Sequence, residues 1–416
     1  MSQERLIVAC DFGTTSFRAV ICEVDDGGSV TIIGHSEHKC AGFLDGDFID
    51  LKTGSRAIAA TVSALEKSTD TFVTGFTYNI SGSHLRSVRS MAQVPIGPGP
   101  RPIREGDLEE VRQRVRSLAI PFDHKILSVT PVEYVVDRVR GIVDPVGRVG
   151  SQLEMHAHLI TGSRTVLHNI ENAVETSGYQ PLGEEVDVLA AAAGLLALPE
   201  KEAGVMLIDI GGTATNWVVF AQGTVQANGM VPLGGHHLTQ DLAHGLRISC
   251  EEAEDAKRER GVVLRSLVDE VPVEVLFEEE LPKETPGLLA AILEPRFEEI
   301  LALVKQDYGD MGQLARLQAG VVLTGGGSRP RGAAQLCEEV FDLPATTRYL
   351  PPALAGAESL PQGQWATAIG LSLGAAADAV ELDALQAPLG GGGIIHRIRN
   401  LFRGGKRNRE ALSAKA

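Results

Sequence analysis

The sequence predicts an α/β protein made of two related lobes that face each other across a ligand cleft. An apolar strand, an Asp-x-Gly turn and a second apolar strand occur in LIVACDFGTTSFRAVICEV (residues 6–24) and again in MLIDIGGTATNWVVF (residues 206–220). A third turn, TGGG at residues 324–327, joins an apolar strand to a predicted helix in GVVLTGGGSRPRGAAQLCEEVF. The 416 residues are enough for two to four domains with cores of their own.

The two Asp-x-Gly turns have the composition of anion-binding loops. Glycine lets the backbone approach a ligand, and successive N–H groups in a turn form an anion-binding nest. Asp11 and Asp209 precede these glycines in matching contexts. An ordinary hairpin explains either turn alone, but the pair predicts two clips that clamp one polyphosphate between related lobes.

The charge is unevenly distributed along the chain. The net charge is −16, yet residues 394–416 carry seven Lys or Arg against one Glu. An acidic body excludes general nucleic-acid binding, which needs a basic surface. The chain has no run of about 18 apolar residues and no signal-peptide pattern at its start, so we expect a cytosolic protein. Five unpaired cysteines predict free thiols rather than disulfides or a zinc site.

The last 31 residues predict a membrane-binding segment. Residues 386–393 include four consecutive glycines and form a predicted flexible linker, which leads to an amphipathic helix over 394–403 and a basic tail over 404–416. A terminal helix docked on the protein's own core is the alternative. The membrane-facing set consists of the apolar Ile394, Ile395, Ile398, Leu401 and Phe402 and the basic Arg397, Arg399 and Arg403.

The order of the two clips and the glycine-rich turn resembles the actin, sugar-kinase and heat-shock chaperone superfamily, which implies ATP and Mg²⁺ in the cleft. Longer segments resemble one branch, the FtsA family of bacterial cell-division actin homologues. They are YNISGSHLRS, VTPVEYVVDRVRGIVDPVGRVGSQLEMHAHLITG, NIENAVETSGY, EEAEDAKRERG and ILEPRFEEILALV. The implied architecture is an actin-like duplicated two-lobe fold with a nucleotide cleft, an FtsA-type inserted α+β subdomain and a C-terminal amphipathic helix.

The resemblance also implies a division into domains. The first lobe comprises residues 1–83 and 162–199, and its inserted subdomain spans 84–161. The second lobe comprises 200–237 and 320–385, with a second inserted subdomain at 238–319. Read from the residues, DLEEVRQRVRSLA in the first insert is an amphipathic helix, and KILSVTPVEYVVDRV and SQLEMHAHLITG are alternating strands. We expect His156 and His158, which alternate on one strand, to have a structural or surface role rather than to bind a metal.

The resemblance assigns roles to individual residues. Asp11 and Asp209 are expected to hold Mg²⁺ through water, and with Asp187 they form the catalytic carboxylates. The residues expected to contact the nucleotide are Gly13, Thr14, Thr15, Gly211, Gly212 and Thr213 at the phosphates, Glu254 and Lys257 at the ribose or adenine, and Gly325, Gly326 and Gly327 at the adenosine. His236 and His237 are expected to be loop and helix-start residues.

Two departures from the superfamily pattern predict slow or absent ATP hydrolysis. Thr213 and Asn216 replace a glycine and an aspartate of the second clip, and Asp187 stands where Glu is usual. A carboxylate shorter by one methylene misplaces the attacking water, and about 1 Å of misplacement costs on the order of a hundredfold in rate. ATP is then expected to act as a structural ligand that favours assembly.

The implied function is a polymerising adaptor at the inner face of the cytoplasmic membrane, which tethers the tubulin-like protein FtsZ and recruits later division proteins. We expect the C-terminal peptide of FtsZ to bind the 238–319 insert, with Arg296 as its contact. Arg296 paired with Glu298 or Glu299 on its own helix is the alternative. The alternatives for the whole chain are a PilM-like pilus-assembly protein and, with less support, a small-molecule kinase.

Overall fold

The computed structural model describes residues 5–25, 27–117, 120–268, 285–309, 316–350, 354–361 and 364–386. The predicted amphipathic helix at 394–403, the basic tail and all but the first residue of the linker lie outside the described residues. So does the whole of LFEEELPKE in the second insert.

Groups of strands are separated by helices along the chain. The strands are β1 (Arg5–Phe12), β2 (Ser16–Val24), β3 (Val30–Lys39), β4 (Phe43–Leu44), β5 (Asp47–Phe48), β6 (Gly75–Ile80), β7 (Arg86–Pro95), β8 (Arg101–Pro102), β9 (His124–Val136), β10 (Val139–Ile142), β11 (Val149–Gly150), β12 (Gln152–Ser163), β13 (Gln180–Val186), β14 (Val205–Ile210), β15 (Thr215–Ala221), β16 (Thr224–Val231), β17 (Val321–Thr324) and β18 (Ala345–Thr347). The helices are α1 (Leu51–Thr69), α2 (Glu105–Arg116), α3 (Arg164–Thr176), α4 (Asp187–Leu195), α5 (Leu198–Ala203), α6 (Gly235–Leu246), α7 (Cys250–Arg260), α8 (Pro286–Tyr308), α9 (Ala333–Phe341) and α10 (Ala366–Gln386).

Each lobe contains a five-stranded sheet, and the two sheets have the same connectivity. The first sheet has the order β13-β6-β1-β2-β3, and the second has the order β18-β17-β14-β15-β16. In both, the first two strands of the unit pair antiparallel and the later strands add in parallel on the other side. The duplication that the sequence predicts is therefore a duplication of topology.

The inserted subdomain of the first lobe is a separate α+β unit. Its four-stranded sheet has the order β10-β9-β12-β7, and α2 packs on one face. Helix α2 buries Leu108, Val111 and Val115 at helical spacing against Leu153 and Met155 of β12. Both ends of this unit join the first lobe, since β6 precedes it and α3 follows it.

Helices α4 and α10 cross beneath the cleft and bring residues from distant parts of the chain to its floor. The crossing is close at Gly194 and Gly370, where a side chain on Gly370 would collide with the Ala190 carbonyl. Asp187 is the first residue of α4, and Thr367 lies in the first turn of α10. The two helix starts therefore meet at the end of the cleft.

Candidate nucleotide site

The two clips adopt the same backbone geometry. In the first, Asp11 pairs across the hairpin with Arg18, and Gly13 N donates to Ser16 O over 3.2 Å. In the second, Asp209 pairs with Asn216, and Gly211 N donates to Ala214 O over 2.9 Å. Each acid is thus the penultimate residue of a central strand, just before its turn.

The clips face each other across one cleft with an empty volume of about 730 Å³. They approach so closely that a side chain on Gly212 would lie 2.8 Å from Thr14 Oγ1. The cleft is lined by residues of both lobes, and those from the sequence predictions are Asp11, Gly13, Thr14, Thr15, Asp187, Asp209, Gly211, Gly212, Thr213, Gly325 and Gly326. The structure therefore brings most of the predicted site together.

The start of α6 supports the second clip from behind. Gly235 N donates to Gly211 O over 2.8 Å, and His236 N donates to Gly212 O over 2.7 Å. These bonds use N–H groups that a helix start leaves without an intrahelical partner. His237 Nδ1 accepts from Gly234 N. The prediction of a loop and helix-start role for the two histidines is confirmed.

Asp187 opposes the ionisation of the other two carboxylates of the cleft. Burial, and then the charge of Asp187, raise the pKa of Asp11 to about 7 despite Arg18. Burial and the charges of Asp187 and Asp11 also raise the pKa of Asp209 well above its ordinary value. Burial raises the pKa of Asp187 as well. A cation in the cleft would relieve this repulsion.

Asp187 is held by three neutral donors. Thr367 Oγ1 donates to its Oδ1 over 2.9 Å, and Asn216 Nδ2 donates to its Oδ2 over 3.1 Å. Asn79 is a further hydrogen-bond partner. Asn216, which the sequence marks as a departure, therefore has a definite contact in this chain.

The glycine-rich turn packs directly on the second clip. Gly325 has a φ of +82°, and a side chain there would collide with Asp209 Oδ1. A side chain on Gly326 would instead meet the amide of Gln364, and one on Gly327 would meet Ile210. Gly327 is buried behind the cleft wall rather than part of it.

Among the cleft-lining residues that sequence reasoning missed, four have side chains with a defined place in the site. Asn79 accepts from Phe12 N over 2.7 Å, and Arg18 donates to Glu37 over 2.7 Å while its buried Nε has no partner among the described residues. Gln364 and Thr367 complete this group. Of these four, only Arg18 was predictable from the sequence, because it occupies the position in the first unit that Asn216 occupies in the second. Asn79, Gln364 and Thr367 reach the cleft by tertiary contacts.

The residues present fit a divalent cation held through water. In the described part of the chain, no three His, Cys, Asp or Glu residues are placed to ligate a metal directly. Hard divalent cations such as Mg²⁺ keep several waters and use few carboxylates. Three carboxylates with raised pKa values, of which Asp11 is buried, match that chemistry.

Comparisons with known proteins decide the family. The model "SHS2 domain inserted in FTSA" matches residues 82–161, and the model "Cell division protein FtsA" matches residues 206–370. Cell division protein FtsA of Neisseria meningitidis serogroup B is 31% identical over 407 residues, which cover 95% of this chain and 98% of that protein. The chain belongs to the FtsA family. Cell division protein FtsA of Bacillus subtilis is 30% identical over 89% of this chain and 83% of its own length.

Solved structures place this member of the FtsA family among proteins with an actin-like fold. The PilM–PilN type IV pilus biogenesis complex covers 88% of the chain and 97% of the matched chain, with a TM-score of 0.62 and 16% identity. The match to MreB5 of Spiroplasma citri bound to ADP covers 92% of this chain and 99% of the MreB5 chain, with a TM-score of 0.51 and 13% identity. At such identities the likeness concerns the fold alone, so the PilM-like alternative is not favoured.

Glu254 and Lys257, predicted at the ribose or adenine, lie beside the FtsA cleft rather than in its wall. Lys257 Nζ donates to Glu254 over 2.6 Å, to Gly235 O over 2.8 Å and to Thr239 Oγ1 over 2.7 Å. Burial lowers the pKa of Lys257, although Glu254 opposes the shift. Their predicted contact with nucleotide stays a prediction.

Arg296 forms ion pairs within the FtsA chain itself. Its Nε donates to Asp241 Oδ2 over 2.6 Å, and its Nη1 donates to Glu299 Oε2 over 2.5 Å. The alternative in which Arg296 pairs with a neighbouring glutamate is therefore realised, and Asp241 of α6 is an additional partner. Binding of a peptide at Arg296 would have to compete with these pairs.

The remaining sequence expectations concern the cysteines, two histidines and the membrane. The five cysteines are free, as expected. His156 pairs with Glu154, and His158 is buried in contact with Asn228, so both are structural. Among the described residues of this FtsA relative, none of the helices has the length and apolar character needed to cross a bilayer. The eight predicted membrane-binding residues lie outside the described residues.

Proposed function

We propose that this FtsA-family protein binds ATP with Mg²⁺ between its two clips and uses the nucleotide to hold the lobes together. The observation that carries this proposal is the pair of matched turns facing each other over three carboxylates whose pKa values are raised. Backbone N–H groups of both turns suit a polyphosphate, which would link one lobe to the other. The MreB5 relative of similar fold was solved with ADP.

Each part of the cleft has a task in this proposal. The N–H groups around Gly13 and Gly211 would bind phosphate oxygens, and Arg18 adds a fixed positive charge beside the first clip. Asp11 and Asp209 would hold Mg²⁺ through water. The metal supplies charge neutralisation at the phosphates when bound. Gly325 and Gly326 leave room for the adenosine.

We expect hydrolysis to be slow because the carboxylate of Asp187 is already engaged. Thr367 and Asn216 donate to its two oxygens, one each, and Asn79 adds a further bond. Although burial raises the pKa of Asp187, oxygens that already accept these bonds are poorly placed to orient an attacking water. The protein would therefore remain for long periods in the nucleotide-bound form, in which the lobes are joined.

The cellular part of the proposal follows from family membership and from the C-terminal sequence. We propose a peripheral protein at the inner face of the cytoplasmic membrane, held there by residues 394–403 and tethering FtsZ through the second insert. Self-association into filaments would multiply the weak membrane contacts of single copies. Recruitment of later division proteins is part of the same proposal.

Co-sedimentation with anionic liposomes tests this role. FtsZ should sediment with vesicles only when the full-length chain is present with ATP and Mg²⁺. A chain ending at residue 393 is the matched control, because it keeps the described body and lacks the basic helix and tail. Sedimentation of FtsZ with the truncated chain at the full-length level would contradict the proposed anchor.

A further inference from the structure

The inserted subdomain touches the lobe to which it is not attached. Both of its ends join the first lobe, yet its strands β7, β9 and β12 pack against β16 of the second lobe. A contact at this place bridges the two lobes outside the cleft. A movement of the lobes that opens the cleft therefore acts on the contact between the inserted subdomain and β16.

The centre of this bridge is a buried hydrogen bond between His158 and Asn228. His158 lies in β12 with 1% of its surface exposed, and its Nε2 is 2.7 Å from Asn228 Oδ1 in β16. Ser87 Oγ of β7 lies 3.3 Å from the same nitrogen. Since Asn228 Oδ1 only accepts, a neutral ring with its proton on Nε2 satisfies the contact.

A short path leads from this bond to the cleft. Asn228 pairs with Val218 across the β15–β16 ladder, and two residues further along the ladder Met230 pairs with Asn216. Asn216 in turn donates to Asp187. A shift of β16 relative to the inserted subdomain would therefore act on the residue that orients Asp187.

A polar chamber occupies the space between the bridge and the cleft. Its empty volume is about 360 Å³, and its walls come from the first lobe, the inserted subdomain and the second lobe. Ser81, Asp187 and Asn216 line both the chamber and the cleft, whereas Ser87 and Asn228 close its far side. The chamber has room for several waters with polar partners.

We propose that the His158–Asn228 hydrogen bond is a latch through which the inserted subdomain controls the cleft. With the latch closed, β16 and β15 are fixed against the inserted subdomain, and Asn216 is held on Asp187. A partner that draws the inserted subdomain away from β16 opens the latch, which lets the lobes separate and releases the cleft ligand. By linkage, a ligand that joins the lobes favours the closed latch.

Two readouts test the latch, and only the second depends on the proposed nucleotide function. The first is hydrogen exchange of β15 and β16 without nucleotide, and the second is the release rate of a fluorescent ATP analogue. His158→Ala should raise both the exchange rate and the release rate by about threefold to tenfold, which is the effect of losing one net hydrogen bond. Asn228→Ala, a change at a less buried residue, should do the same. The double variant should add little to either single change.

Two matched variants separate the latch from general damage. His156→Ala removes a histidine two residues away on the same strand, whose partner is Glu154 within the inserted subdomain, and it should change neither rate. His158→Gln keeps a donor for Asn228 and should recover much of the loss.

The latch proposal is overturned if His158→Ala and Asn228→Ala leave exchange in β15 and β16 at the wild-type rate, or if His156→Ala accelerates it equally. Should none of the proteins bind the ATP analogue, the proposed function fails, while hydrogen exchange still decides the latch.

Discussion

Asn216 donates a hydrogen bond from Nδ2 to Oδ2 of Asp187 over 3.1 Å, although the two residues lie on different lobes. Asn216 is in β15 of the second lobe, directly opposite Asp209, and Asp187 begins α4. An aspartate at position 216 would add a fourth carboxylate to a site where the charge of Asp187 already raises the pKa of Asp11 and of Asp209. The amide joins the lobes without adding charge.

This contact supports the prediction of slow ATP turnover. We expect phosphate release below about 1 s⁻¹, the low end of ordinary enzyme rates, because Asp187 accepts bonds from Thr367 and Asn216 and is poorly placed to activate water. A phosphate-release assay with Mg²⁺-ATP measures it. Asp187→Asn should lower any residual turnover by tenfold or more, and a wild-type rate at or above that limit would contradict the prediction.

Asp11 predicts an unusual dependence of stability on pH in the nucleotide-free protein. Its pKa of about 7 in the fold exceeds the ordinary value of 3.8. The stability contributed by its protonated form is therefore fully present below about 3.8 and is lost as the pH rises through about 7. Asp11→Asn should raise the free energy of unfolding at pH 8 by up to about 4 kcal/mol, since one pKa unit corresponds to about 1.4 kcal/mol.

Urea unfolding of both proteins at pH 5 and pH 8 measures this effect. Asp11→Asn should also weaken binding of Mg²⁺-ATP by at least tenfold, because it removes a cation partner. Asp123→Asn, at an exposed acid of the inserted subdomain, is the control and should change neither result. Equal stability of wild type and Asp11→Asn at pH 8 would show that ionisation of Asp11 does not destabilise the fold.

Gly326→Leu tests the adenosine side of the cleft. A side chain there would displace the amide of Gln364 and occupy the cleft, so we expect ATP affinity to fall by at least tenfold. The melting temperature should change little because the displaced group is the end of a flexible side chain. Gly374→Leu in α10 is the control, since its side chain would point into open space. Undiminished ATP affinity in Gly326→Leu would remove this residue from the site.

Arg296→Glu tests the predicted FtsZ contact. The change replaces the partner of Asp241 and Glu299 by a third acid, and we expect affinity for the C-terminal FtsZ peptide to fall by about tenfold. Fluorescence anisotropy with a labelled peptide measures it, together with a thermal melt. Arg265→Glu breaks another ion pair of the same insert, with Glu294, and should leave peptide affinity unchanged. If Arg296→Glu binds as well as wild type, the peptide site lies elsewhere.

Ile398→Glu tests the predicted membrane helix. A charge within the apolar set should abolish sedimentation with anionic liposomes, while Ile398→Leu should preserve it. Raising the salt concentration should weaken wild-type binding without eliminating it, because screening leaves the apolar share intact. Full sedimentation of Ile398→Glu, or a collapse of its melting temperature, would indicate a helix packed on the body instead.

The strand-turn-strand units of the two clips were predictable because their signals are local. Strands β1, β2, β14 and β15 are largely apolar runs on either side of a glycine turn, and such runs depend on neighbouring residues alone. Helix α2 and strand β12 of the inserted subdomain were predictable for the same reason. The duplication then implied that Asp11 and Asp209 face one another.

The contacts of the site residues were decided by the tertiary structure alone. Thr367 and Asp187 are 180 positions apart, and they meet because α4 and α10 cross at two glycines. The reach of Lys257 to Gly235 and Thr239 of α6, and that of His158 to Asn228, depend likewise on how packed elements are placed. Local periodicity identifies a buried face without specifying what covers it, because hydrophobic burial has no direction, whereas a hydrogen bond requires one particular partner at about 3 Å.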